Sequence, residues 1–108
     1  MISEKIFLYA EYQVSVPFEK IDWEPINQEM KKFDGMRSKT WLSGLNNHTV
    51  GGFYEFSSFD DSQKYIDELL IPFSKKINGN LTVKLFNGDI VAEACTDMNS
   101  PFYKENNE

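Results

Sequence analysis

Apolar and polar positions alternate with a period of two through residues 5–16, placing Ile6, Leu8, Ala10, Tyr12 and Val14 on one face and Phe7, Tyr9 and Glu11 on the other. That spacing predicts a β-strand, which Pro17 ends. The period then lengthens. Ile26, Met30 and Phe33 recur at helical spacing, with Asp22 as N-cap, Pro25 in the first turn and Asp34-Gly35 as the stop. Strands are predicted again at 36–44 and 49–57, joined by a turn at Asn46-Asn47-His48. Ser58-Phe59-Asp60-Asp61 resembles a capping box with Asp in place of Glu. It opens a second helix whose apolar side carries Tyr65, Ile66, Leu69 and Leu70, and which is expected to end by Pro72. A fourth strand covers 81–86, and 90–95, after an Asn87-Gly88 turn, reads as a short extra strand. Residues 97–108 are mostly polar and expected to be loose, with Phe102 and Tyr103 available to anchor on a partner subunit.

The order βαββαβ predicts an α+β, ferredoxin-like domain over residues 1–96, an antiparallel sheet with both helices on one face, followed by a polar C-terminal tail at 97–108. One sheet face is then left uncovered. Centring the hairpin turn on Asn46 sets Arg37 opposite Glu55, Lys39 opposite Phe53 and Trp41 opposite Gly51. Met36, Thr40, Leu42, Val50, Tyr54 and Phe56 then face the helices, while Lys39 and Trp41 join Phe7, Tyr9, Phe53, Glu55 and Phe86 on the open face. Rings beside paired charges describe a surface that is buried against something, and a homodimer through this face is the expectation. The adjacent Gly51-Gly52 would make room for Trp41. A bulge at the glycines is the competing structural reading.

Composition narrows the function classes. The 108 residues fit one domain, and 41% hydrophobic with nine phenylalanines is ample for one layer of helices on a sheet. The balance of 17 acidic to 11 basic residues gives −6, which opposes general attraction to nucleic acid or anionic membranes. Lys31-Lys32 and Lys75-Lys76 fall near predicted helix C-termini, where positive charge complements the helix dipole. The single cysteine, Cys95, excludes an intramolecular disulfide and reads as inert; with one histidine it is too little for a Cys/His zinc site. No run has the length of a signal-peptide core or of a membrane span, so a soluble, cytoplasmic protein is the expectation.

The run from Gly35 to Phe56 carries Lys39-x-Trp41, then Asn47-His48, then Gly51-Gly52-x-Tyr54-x-Phe56. This skeleton, with Pro17-Phe18 after the first strand and the helix from Ser62 to Leu69, resembles the YdhR-like monooxygenase family. The likeness covers most of residues 5–90, and the hairpin is its specific part. Its members are ferredoxin-like domains that pair sheet to sheet as dimeric α/β barrels. The resemblance implies a cofactor-independent monooxygenase, with no flavin, haem or metal, acting on a small aromatic molecule of phenolic or quinone type. The chain departs from the family pattern at Ser38, where a second tryptophan is expected; the smaller side chain would enlarge or reshape a pocket under the helices.

The candidate catalytic residues are His48 and Tyr54. His48 is the only histidine and the one side chain whose ordinary titration lies near neutrality, although a turn favours such a residue for its polarity alone. Tyr54 and Tyr12 are either satisfied core phenols or hydroxyls directed into a cavity. Thr40, Trp41 and Ser38 complete the candidate substrate-binding set, Trp41 reading equally as a packing residue. Gly51-Gly52 opens no helix and is not a phosphate loop. Two rivals from other classes remain. One is a non-catalytic dimeric module that binds a small ligand or serves in stress response. The other is an RRM-like RNA binder, whose aromatic strand motif Val50–Phe56 faintly resembles but without its leading basic residue.

Overall fold

The computed structural model describes residues 4–104. Strand β1 (Ile6–Gln13) follows the period-two pattern, with Ile6, Leu8, Ala10 and Tyr12 buried on one face. Helix α1 (Trp23–Met30) starts after Asp22, and its run-out ends at Gly35, whose φ of +81° needs a residue without Cβ. Strands β2 (Met36–Ser43) and β3 (Thr49–Phe56) form the hairpin. Helix α2 (Phe59–Tyr65) is capped as its sequence predicts, the Ser58 hydroxyl accepting from the Asp61 N–H at 3.0 Å. A π-helical turn (Ile66–Leu70) joins it to α3 (Ile71–Ile77), and β4 (Leu81–Asn87) completes an antiparallel sheet of order β2-β3-β1-β4. This α+β arrangement is compatible with a ferredoxin-like fold.

Met30, Phe33, Tyr65, Ile66 and Leu70 pack with Leu8, Ala10, Tyr54 and Phe56, so the helices cover one sheet face. The Phe33 and Tyr65 rings meet edge to face at 5.2 Å. The fully buried Ser62 is tolerated because its hydroxyl donates to the Phe59 carbonyl at 2.7 Å.

Three expectations are corrected. The second helix does not end at Pro72. The Ile71 N–H reaches back five residues to the Ile66 carbonyl, and this widened turn carries the helix past a residue with no N–H to give. The segment 90–95 is not a strand. The Asn87 carboxamide accepts from the N–H groups of Asp89 and Ile90 at 2.8 and 3.1 Å, turning the chain, and the helix-favouring run after it forms α4 (Ala92–Asp97).

The third correction concerns the start of the tail. Phe102 and Tyr103 do not wait for a partner but pack on the chain's own open face, with Phe102 5.2 Å from Phe53 and Tyr103 5.9 Å from Phe7. Tyr103 donates to the Gly88 carbonyl at 2.8 Å. Lys5 Nζ donates both to the Phe102 carbonyl at 2.8 Å and to Glu55 at 2.9 Å. Residues 105–108, the end of the expected tail, lie outside the described residues.

Glu55 is the hinge of this clamp. Only 8% exposed, it accepts from Lys5 and from Arg37 (2.8 Å) on the same oxygen. Removing the charge of a largely buried carboxylate takes from Lys5 and Arg37 the acceptor they share. Glu55→Gln is therefore expected to cost about 2 kcal/mol and to loosen residues 98–104. Denaturant titration, with the near-ultraviolet signal of Tyr103 as a local probe, checks both effects.

Candidate functional site

The hairpin register decides what faces the helices. Met36 pairs with Phe56, but the next pair is Ser38 with Glu55, so Arg37 is an extra residue in a bulge. Beyond it every residue of β2 is turned over relative to the expected register. Lys39 stands opposite Tyr54 and Trp41 opposite Gly52, both on the helix-covered face; Ser38, Thr40 and Leu42 share the other face with Glu55, Phe53 and Gly51. The Arg37–Glu55 pair forms as expected, but from the bulge and not from directly opposed positions. Ser38 and Thr40 are thus removed from the expected pocket, and Lys39 enters it. The signal lay in the sequence. Met36 and Trp41 are an odd number of positions apart, so both can turn inward only if one residue between them is extra.

Between α1, the Ile66–Ile77 helical stretch and the covered face of the sheet lies an open-mouthed cavity of about 840 Å³. Tyr12, Met30, Trp41, Tyr54 and Phe73 contribute to its wall, and Lys39 brings the one amine among the lining residues. Tyr12, Tyr54 and Met30 are among its lining residues, whereas Met36 and Phe56 belong to the core and do not line it.

The Trp41 Nε1–H donates to Asn27 of α1 at 3.0 Å, and Phe18 packs on the Trp41 ring at 5.4 Å. Lys39-x-Trp41 and Gly52-x-Tyr54, separate in sequence, therefore converge on one side of the cavity, with Phe18 against the Trp41 ring and itself lining the second depression. Gly52 is small for a reason visible here, since an added Cβ would meet Lys39 Cε at 2.6 Å and the Tyr54 ring at 3.0 Å.

The Lys39 ammonium has no carboxylate within ion-pair distance among the described residues. Its Nζ lies 3.2 Å from Met30 Sδ, 3.4 Å from the Trp41 ring centroid and 5.0 Å from that of Tyr54. Burial disfavours the charged form and lowers the Lys39 pKa to about 7. The phenols shift the other way. Burial pushes Tyr54 up to about 12, partly opposed by the hydroxyl of Tyr65, which donates to it at 2.9 Å. Tyr12, donating to the Leu70 carbonyl at 3.2 Å, and Tyr65 are also raised by burial, both beyond the ordinary phenol range. At neutral pH these tyrosines stay protonated, so they can donate hydrogen bonds but not accept a proton from a substrate.

His48 does not join them. It is exposed in the hairpin loop, beside a smaller depression of about 350 Å³ shared with Phe18 and Asn47, and its carbonyl accepts from the Val14 N–H at 2.7 Å. It is not among the residues lining the large cavity. On the open face, the Phe7–Phe53 stack at 5.1 Å, the platform an RNA binder would need, is covered by Phe102 and Tyr103. Among the described residues no cluster of His, Cys, Asp and Glu could hold a metal ion, and no helix is long and apolar enough to cross a membrane.

No protein-family model matches the chain, and no curated protein is significantly similar to it.

Proposed function

We propose that the chain is a cofactor-independent monooxygenase that holds a small phenolic or quinone-type aromatic substrate in the helix-covered cavity. The observation that carries this reading is the cavity itself, about 840 Å³ with aromatic walls, on which Lys39, Trp41, Gly51, Gly52 and Tyr54 of the YdhR-like motif converge. Its size falls in the range of pockets that bury a ligand of one or a few rings. Trp41 and Tyr54 offer ring faces, and Tyr54 offers a phenol that stays protonated. A phenol would give up one hydrogen from a ring C–H and one from its O–H to dioxygen, one oxygen atom entering the ring as the second carbonyl of a quinone and the other leaving as water. The protein's contribution is orientation, proton transfer and partial exclusion of water.

The functional unit is proposed to be a homodimer formed through the open sheet face, as a dimeric α/β barrel. Support comes from apolar surface left around the C-terminal clamp: Phe86 is 47% exposed and Met98 78%. Sedimentation at micromolar concentration is expected to give a dimer; a monomer would refute this part alone.

A second reading, a dimeric module that binds a small ligand without transforming it, is favoured by the exclusion of His48 from the cavity. Oxygen uptake with a panel of hydroquinones and polyphenols, without added cofactor, separates the two. Uptake that drops at least tenfold in Tyr54→Phe and is unchanged in His48→Ala is the expected result. Tight binding with no uptake would leave the binding module standing.

A further inference from the structure

We infer that the cavity selects aromatic acids, which bind as the anion with the charge placed against the Lys39 ammonium. The inference deepens the reading above and rests on the cavity being a ligand site. It starts from an imbalance. An amine on a flexible stem is held among Met30, Trp41 and Tyr54 with sulfur and ring faces as its neighbours. Ring faces attract a cation but leave its N–H donors without a strong acceptor.

The carboxylates nearest the cavity do not fill that role. Glu29 of α1 lines the mouth but pairs with Lys32 at 3.0 Å, and Glu68 of the π-helical turn is solvent-exposed; neither lies within ion-pair distance of Lys39. The phenols of Tyr12 and Tyr54 are neutral there. A ligand carrying one acidic group beside an apolar ring system supplies the missing partner, and its rings replace water along Trp41 and Phe73.

The same geometry fixes the proton balance. A ligand already ionised in water, such as an aryl carboxylate, restores the charge of Lys39, so the complex takes up a proton from solvent. A phenol instead keeps its proton and donates it in a hydrogen bond to the neutral Lys39 amine, with no net uptake, because burial disfavours the charged form of both groups.

The test uses 2-naphthoate, 2-naphthol and the uncharged isostere 2-naphthamide, with binding followed by calorimetry near pH 8 in two buffers of different ionisation heat. The acid is expected to bind about tenfold or more tighter than the amide, because only the acid makes the charge-assisted bond. Naphthoate is expected to draw in a proton, and bound 2-naphthol to keep the absorption of the neutral naphthol. Lys39→Met should erase the preference while retaining the amide. Equal affinity of acid and amide in the unaltered protein, or naphthoate binding without proton uptake, would overturn the inference and leave the cavity as a ligand site. Failure of all three probes to bind would overturn both.

Discussion

Lys39→Met is expected to stabilise the protein at neutral pH by roughly 2 kcal/mol and to flatten its stability between neutral pH and about pH 9. An unfolded chain gives this lysine its ordinary, high pKa, whereas in the fold burial lowers it to about 7. Between those values the unfolded state holds a proton that the folded state lacks, so stability rises with pH across the window. Below it, the folded protein carries a charge in an apolar cavity and the penalty is fully felt. One proton held by the unfolded but not by the folded state gives a limiting slope of about 1.4 kcal/mol per pH unit. The contact with Trp41 and the partial exposure of Lys39 narrow the window over which it applies. The window stops short of the range where unfolded-state tyrosines ionise and reverse the trend. Denaturant midpoints at intervals across it give the slope. A slope that survives in the methionine variant would mean that another group titrates.

Gly51→Ala is expected to cost about 3 kcal/mol or more, the largest loss from any single methyl group added to the sheet. A Cβ at Gly51 would fall inside the van der Waals distance of the Ala10 carbonyl oxygen and lie 3.0 Å from Glu11 Cα. Both are backbone atoms of the central strand β1, which no rotamer change can move. Gly52→Ala is a different case, because its nearest neighbour is the movable end of Lys39. It should fold, with the amine displaced. Thermal unfolding of the two variants checks the contrast; equal losses would mean that neither glycine has the role its neighbours assign.

That pair of glycines shows how far the sequence could be read. Both were legible as positions where bulk is forbidden, but not which neighbour forbids it. The expected neighbour was Trp41; the observed ones are the β1 backbone for Gly51 and Lys39 with Tyr54 for Gly52. The antiparallel sheet and its helix-covered face followed from periodicity because β1 keeps its inward set of Ile6, Leu8, Ala10 and Tyr12. The face of β2 did not, because a bulge at Arg37 costs one residue and leaves local composition almost unchanged. The whole candidate site hung on that one residue, since it exchanges Ser38 and Thr40 for Lys39 and Trp41. The C-terminal segment was illegible for a related reason. Phe102 and Tyr103 were visible as anchors, but what they anchor on depends on Lys5 and Glu55 meeting across the sheet. His48 stood out by chemistry alone, and its position beside a separate depression was not legible from that chemistry.

The most direct measurement of where this protein holds a ligand is the change in amide resonances of isotope-labelled protein on titration with 2-naphthoate. The expected perturbations cluster at Tyr12, Lys39, Gly52, Tyr54 and Leu69, all lining the large cavity. Changes confined to Gly44, His48 and Phe18, around the smaller depression, or to Phe86 on the opposite face, would contradict a functional site under the helices.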